Sequence, residues 1–107
     1  MSAITTHVLD TATGCPAAGV AVVLEHATPQ GWQALGRGVT DADGRLRTLL
    51  PPGVPLTAGD YRLTFDTHEH SAFYPSVSVQ FAVQDPAQHY HVPLLLSPFG
   101  YSTYRGS

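Results

Sequence analysis

Few side chains in this 107-residue chain can do chemistry: six His, five Arg and eight acidic residues. Two His-x-His pairs, His68/His70 and His89/His91, would each place two imidazoles on one face of a strand. Such a pair can bind a metal ion, but the spacing marks no third or fourth ligand, so we expect no metal site. No phosphate loop, serine-nucleophile motif or zinc-protease motif is present. Because imidazole titrates near neutral pH, general acid–base chemistry is the other possibility.

Taken singly, each polar candidate also has an ordinary structural interpretation. His7 would be a surface histidine, Arg45 the exposed start of a strand, and His91 a hydrogen-bonded histidine beside Tyr90. Spacing alone does not choose between these interpretations and a catalytic one. Cys15 is the only cysteine, so it cannot form an internal disulfide, and we expect it to be a passive turn residue.

Ten Gly and nine Pro divide the chain into short apolar runs, which is typical of an all-β sandwich or barrel. The pattern predicts a single domain over residues 1–107, an all-β Greek-key sandwich of about eight strands. At most one short helix is expected, within residues 68–74. The predicted strands are residues 4–10, 19–26, 32–38, 45–50, 61–65, 77–83, 89–96 and 100–106.

The strand at residues 89–96 has one apolar face and one face that carries both imidazoles of its His-x-His pair, so that second face should not point into a hydrocarbon core. Pro93 cannot donate to a ladder, which predicts an edge, a bulge or an unpaired stretch there. The chain end, residues 101–107, is rich in aromatic and β-branched residues, which favours an ordered strand. An ordered end suggests that it has a functional role.

The composition limits the classes of partner. Only 12% of the residues are charged, against about 25% in ordinary soluble domains, so we expect partner subunits to cover part of the surface. The net charge is −3 and there is no basic run, which argues against nucleic-acid binding. No signal peptide is visible in residues 1–6, and no apolar run is long enough for a membrane span. A soluble, cytoplasmic protein is expected, with periplasmic and peroxisomal settings left open.

Two segments carry a family resemblance. The stretch His7-Val8-Leu9-Asp10, continued by Gly14, Pro16-Ala17, Val20 and Val22, resembles the first signature of the transthyretin-like family. Residues 90–107, Tyr-His-Val-Pro-Leu-Leu-Leu-Ser-Pro-Phe-Gly-Tyr-Ser-Thr-Tyr-Arg-Gly-Ser, resemble the second. Residues 40–45 and 59–62 match in between. The resemblance is therefore collinear over essentially the whole chain, and it implies the transthyretin-like sandwich.

The ending Tyr-Arg-Gly-Ser resembles the hydrolase branch of that family. The resemblance implies a cofactor-free hydrolase that opens the ring of 5-hydroxyisourate at its N1–C6 amide bond. The implied product is 2-oxo-4-hydroxy-4-carboxy-5-ureidoimidazoline, formed during urate breakdown. Histidine would activate water and arginine would stabilise the oxyanion, without deciding which His is the base. The implied catalytic residues are His7, Arg45, His91 and Ser107, and the implied substrate-binding residues are Tyr104, Arg105 and Gly106.

The resemblance also implies a homotetramer, a dimer of dimers whose sites lie at the dimer–dimer interface. That arrangement agrees with a domain too small for a deep internal pocket. The alternative is a transthyretin-like carrier of a small planar ligand without catalysis, because a fold does not fix a function. A purely structural sandwich is the third class, and it would not need an ordered Arg-Gly-Ser end.

Overall fold

The computed structural model describes residues 3–107, which form nine β-strands and no helix. None of these residues belongs to a helix long and apolar enough to cross a membrane. The strands are β1 (Ile4–Asp10), β2 (Cys15–Pro16), β3 (Ala21–Thr28), β4 (Gly31–Val39), β5 (Arg45–Leu46), β6 (Gly59–Asp66), β7 (Ser76–Val83), β8 (Tyr90–Ser97) and β9 (Gly100–Thr103).

The strands form two sheets. The first has the order β2-β1-β8-β9, and β5 pairs with β1 on the same edge as β2. Its central pair, β1 and β8, is parallel, whereas every other pairing is antiparallel. The second sheet has the order β4-β3-β6-β7. The expected all-β sandwich is confirmed; the strand missing from the prediction is the two-residue β2.

The core lies between the two sheets. Alternate side chains of β1, β3, β6, β7 and β8 point inward, because successive residues of a strand face opposite ways, whereas the edge strand β4 has no fully buried residue. This leaves the opposite face of the β1–β8 pair outside the core and free to carry polar groups. The fully buried large side chains are Tyr61, Phe65, Ile4, Leu24, Leu49, Leu63, Leu94, Leu96, Val8, Val22, Val77 and Val83.

The strand predicted over residues 45–50 is much shorter in the structure. Only Arg45 and Leu46 pair with β1, and the chain then leaves the sheet. Leu49 and Leu50 are buried because the following loop packs against β4. A Cβ placed on Gly36 would lie 1.8 Å from the Leu49 carbonyl oxygen, so this close approach requires glycine. The apolar residues that suggested a longer strand are core residues of a loop.

Residues 68–74, where a short helix was possible, form a single turn. The backbone N–H groups of His70 and Ser71 both donate to the Thr67 carbonyl at 2.9 Å. The Ser71 hydroxyl then donates to the Pro98 carbonyl at 2.7 Å. His70 Nδ1 lies 2.9 Å from Asp10 Oδ2. Side-chain contacts to the first sheet therefore replace helical continuation.

The chain end follows β8 in antiparallel register with one interruption. The β8–β9 ladder runs from Ser97 and Gly100 to Leu94 and Thr103. Pairing resumes in the same register at an isolated bridge between His91 and Gly106. The interruption lies opposite Pro93, which has no N–H to donate. The unpaired stretch expected from Pro93 is found here, and the strand predicted to residue 106 ends at Thr103.

Candidate active site

Register places the polar candidates on one outward face of the first sheet. In the β1–β8 ladder Thr5 is opposite His91, and in the β1–β5 ladder His7 is opposite Arg45. Paired residues in a sheet point to the same face, and residues two apart along a strand do so as well. The side chains of β1, β5 and β8 therefore converge outside the core, although they are far apart in sequence.

A turn over residues 41–44 sets the position of Arg45. Asp41 Oδ1 accepts hydrogen bonds from the backbone N–H groups of Asp43 and Arg45, at 2.9 and 3.0 Å. Gly44 has a φ of 74°, and a Cβ there would lie 2.4 Å from the Val8 carbonyl oxygen. The Val8 N–H donates to the Gly44 carbonyl at 2.8 Å. Glycine is thus required for the turn to lie against β1 and to start β5 at Arg45.

The same turn orients His7. Its Nε2 lies 2.9 Å from the Asp43 carbonyl oxygen. A carbonyl oxygen only accepts, so Nε2 of His7 is the protonated nitrogen of the neutral ring. His7 is half-buried beside the cleft described below and does not line it.

The terminal segment meets His91 directly. The Gly106 N–H donates to the His91 carbonyl at 2.8 Å. A Cβ on residue 106 would lie only 2.5 Å from His91 Cδ2, so the backbone packs against the imidazole at a distance that glycine alone allows. This contact brings the next residue, Ser107, to the cleft. The end of the chain therefore forms one wall of the candidate site.

These groups line a surface cleft of about 240 Å³. It contains three of the predicted catalytic residues, Arg45, His91 and Ser107. No described Asp or Glu lines it, and no ion pair of Arg45 or Arg47 is found within residues 3–107. The guanidinium donors are therefore available to carbonyl or anionic oxygens of a ligand. The full lining is Thr5, Thr6, Arg45, Arg47, His89, His91 and Ser107.

The surroundings of His91 favour its neutral form. Partial burial lowers the pKa of the His91 imidazole below its usual 6.5, and the nearby His7, His89 and Arg45 lower that pKa further. Both causes disfavour adding a positive charge to the ring. His91 is therefore neutral at physiological pH, and the ring has an unprotonated nitrogen that can accept a proton.

Two predicted substrate-binding residues face elsewhere in this protomer. Tyr104 and Arg105 line a separate apolar pocket of about 260 Å³ between β7 and the chain end. The Arg105 guanidinium lies 4.4 Å from the centre of the Tyr90 ring and donates to Gln88 Oε1 at 2.8 Å. This geometry fits a residue that anchors the terminal segment. Gly106 touches the imidazole of His91, as described above.

Four further lining residues, Thr5, Thr6, Arg47 and His89, were not among the predicted site residues. Thr5, Arg47 and His89 each stand two positions from a predicted residue, namely His7, Arg45 and His91. Period two along an extended chain is the signal that would have found them. His89 was considered only as half of a metal-binding pair. Within residues 3–107 no group of three or more His, Cys, Asp or Glu is arranged to hold a metal ion.

Comparison with known proteins agrees with the family resemblance seen in the sequence. The model of the HIUase/Transthyretin family matches residues 4–106. The 5-hydroxyisourate hydrolase of Caulobacter vibrioides is 47% identical over 117 aligned positions that cover all of both chains. The structure of the Klebsiella pneumoniae 5-hydroxyisourate hydrolase has a TM-score of 0.80 at 37% identity, covering 97% of this chain and 92% of that one. Transthyretin from Sparus aurata has a TM-score of 0.87 at 33% identity, covering 99% and 97%.

The family model matches residues 4–106, and a relative is 47% identical over the full length. Both findings show common descent. The chain belongs to the HIUase/Transthyretin family.

Proposed function

We propose that this protein is a hydrolase that opens the ring of 5-hydroxyisourate at the N1–C6 amide bond. The product is 2-oxo-4-hydroxy-4-carboxy-5-ureidoimidazoline, and the reaction is a step of urate breakdown. The observation that carries the proposal is the meeting of Arg45, His91 and Ser107 in one cleft that no described Asp or Glu side chain lines. Support also comes from relatives named 5-hydroxyisourate hydrolase, at 42–47% identity.

His91 is the base in this scheme. Its pKa is lowered by burial and by neighbouring cationic groups, so the ring is neutral when substrate binds. It takes a proton from water as the hydroxide adds to C6 of the substrate, and the protonated His91 then returns that proton to N1 as the C6–N1 bond breaks. General acid–base catalysis of this kind is worth about 10²- to 10⁴-fold. His7, whose Nε2 donates to the Asp43 carbonyl, lies beside the cleft and takes part in neither proton transfer of this scheme.

Arg45 stabilises the oxyanion that forms at the C6 carbonyl. Its guanidinium is a planar set of donors, and no described carboxylate competes for it within ion-pair distance. Ser107 adds a hydroxyl that hydrogen-bonds substrate or water. Tyr104, Arg105 and Gly106 hold this end of the chain over the cleft, and the scheme needs neither a metal nor another cofactor.

The active form is a homotetramer, two sheet-extended dimers packed face to face, with sites at the interface between dimers. The cleft of one protomer is smaller than the 300–1,000 Å³ of typical ligand sites, so a second subunit has room to complete it. Within the described residues, β7 and β9 each pair on one side only. Phe73 and Phe99 are 64% and 80% exposed, as expected of a surface that another subunit covers. A cytoplasmic location is part of the same proposal.

The test is an activity assay. 5-Hydroxyisourate is generated from urate with urate oxidase, and its ultraviolet decay is followed with and without the protein. Acceleration is expected, with a loss of at least 100-fold in H91A. The matched control is H68A, which removes an exposed imidazole distant from the cleft and should stay fully active. Unaccelerated decay together with tight binding of a planar ligand would replace the proposal with a carrier.

Assembly is tested separately by light scattering. A tetramer is expected at the concentration that gives full activity. A fully active monomer would remove the interface site. A truncated chain that lacks residues 104–107 should fold and lose activity, and full activity in that truncation would contradict the role of the chain end.

A further inference from the structure

Thr5 makes two contacts that the scheme above does not use. Its Oγ1 lies 2.8 Å from Nδ1 of His91 and 3.1 Å from Nε2 of His89. Thr5 is only 3% exposed, so water does not compete freely for its hydroxyl group. The two imidazoles are nearly parallel, with an angle of 17° and a centroid separation of 6.5 Å. One buried hydroxyl therefore bridges a half-buried and an exposed histidine.

The tautomers of the two imidazole rings depend on each other, because both rings contact the same hydroxyl group. A hydroxyl has one hydrogen to donate, and no acceptor for it besides the two imidazoles is recorded among the described residues, so one ring receives that hydrogen and the other must donate an N–H to the oxygen. Two neutral arrangements satisfy this rule. In one, His91 carries its proton on Nδ1 and Thr5 donates to His89. In the other, His89 carries its proton on Nε2 and Thr5 donates to His91, whose own proton is then on Nε2.

We propose that Thr5 and His89 are positioning residues that hold His91 in the Nδ1-protonated tautomer, which leaves Nε2 free to act as the base. The inference rests on the proposed hydrolase function. No described residue hydrogen-bonds Nε2 of His91. Arg45 and Arg47 line the same cleft, and a lone pair directed towards cationic groups is more favourable than an N–H in that position. The cationic cleft thus selects the first arrangement.

The tautomer is measured directly by ¹⁵N NMR of protein with labelled histidine, because protonated and unprotonated ring nitrogens have different chemical shifts. Wild type should show His91 protonated on Nδ1 and His89 protonated on its other nitrogen, Nδ1. In H89A the Thr5 hydrogen loses its acceptor and is free to go to His91, so the His91 tautomer should shift towards Nε2–H. H89Q retains an acceptor oxygen and should restore the wild-type tautomer.

Kinetics supply the second readout. T5V removes the hydroxyl at nearly constant volume and should lower kcat about 10- to 100-fold with KM within about threefold of wild type. T5S keeps the hydroxyl and should retain most of the activity. The matched control is T11V, directly after the same strand, whose hydroxyl donates to the Leu96 carbonyl at 3.1 Å and which does not line the cleft. T11V should leave both the tautomer and kcat unchanged.

The acid limb of the pH profile separates tautomer from charge effects. The charged or titratable groups around His91 are His7 on β1, Arg45 on β5, His89 directly before β8 and Arg47 in the cleft. T5V removes none of them, so the midpoint of its acid limb should stay close to the wild-type pH although its kcat falls. H89A removes one of the neighbours that lower the pKa of His91, so its acid limb should move to higher pH.

The inference and the hydrolase proposal fail in different ways. If wild type does not accelerate 5-hydroxyisourate decay, the function is wrong, while the ¹⁵N measurement still decides the tautomer without substrate. If wild type is active but His91 is protonated on Nε2, the inference is overturned. Equal losses in T5S and T5V would also overturn it, as would wild-type shifts in H89A. Should T5V fail to fold, the exposed-site variants H89A and H89Q carry the same test.

Discussion

Replacing Gly106 by alanine tests how closely the chain end is fitted to the imidazole of His91. A Cβ at this position would lie 2.5 Å from His91 Cδ2, 3.3 Å from its Cγ and 3.4 Å from Pro93 Cγ. Non-bonded carbon atoms are most stable at about 3.5–4.0 Å, so the ring or the terminal segment must move by about 1 Å. Thr5 holds the ring on its other side, and the Gly106 N–H holds the segment.

A displacement of about 1 Å at a catalytic group costs on the order of 10²-fold in rate, which is the loss in kcat/KM that we expect for G106A. The fold should be affected far less. The contact that is lost, one backbone hydrogen bond at the end of a chain, contributes about 1 kcal/mol to the free energy of unfolding. Activity is measured by the decay of 5-hydroxyisourate, and stability by urea unfolding of the same preparation.

Gly100 provides the matched control. It belongs to the same terminal segment, and a Cβ there would meet only Ser97 Oγ at 3.5 Å, an ordinary contact. Neither glycine has a positive φ, so alanine is conformationally acceptable at both positions and only the contact with His91 differs. G100A should retain nearly full activity. If G106A matched G100A in kcat/KM, the terminal segment would not be fitted to His91 as described.

Three further outcomes follow from single contacts. Because burial, and then His7, His89 and Arg45, lower the pKa of His91, its base form persists as the pH falls, and the acid limb of kcat/KM should have its midpoint below 6.5; a midpoint above 6.5 would contradict this. The hydrogen bond from His70 lowers the pKa of Asp10. This hydrogen bond therefore stabilises the fold at pH values above the unfolded-state pKa of 3.8, and the stabilisation is lost as the pH falls below that value. H70A should therefore lower the free energy of unfolding by about 1–2 kcal/mol at pH 7, less at pH 3, with activity unchanged. R105Q removes the guanidinium from the Tyr90 ring, and we expect faster hydrogen exchange at the Gly106 amide and a five- to tenfold lower kcat/KM; unchanged exchange would show that Arg105 does not anchor the segment.

The predictable part of the fold is the part with period-two alternation. The segment 4–10 was predicted with the bounds that β1 has, and the long strands of the second sheet were placed within a few residues. Alternation failed where burial has another cause. Leu49 and Leu50 are core residues of a loop, and their apolar character extended a predicted strand that ends at Leu46. Local pattern does not distinguish a buried loop from a buried strand.

The candidate site shows the same limit, here for the pairing between strands. His7, Arg45 and His91 were selected by family resemblance, because each is an ordinary residue in its own segment. What places them together is long-range pairing, parallel between β1 and β8 and antiparallel between β1 and β5. No local feature of the sequence specifies which strands become neighbours. Thr5 was missed for a related reason, since its two histidine partners lie 84 and 86 positions away.

The difference between a hydrolase and a carrier on this fold must lie outside the core. The inward residues of β1 and β8, such as Val8, Val92 and Leu94, serve any sandwich of this shape, because they only fill the space between the sheets. The outward residues of the same strands do not fill this space. Two imidazoles and two guanidiniums that form no described ion pair line one cleft, closed by a glycine that packs against an imidazole, and filling the core requires none of them. The proposed hydrolase function gives these groups a role, because imidazole is suited to proton transfer and guanidinium to stabilising an oxyanion.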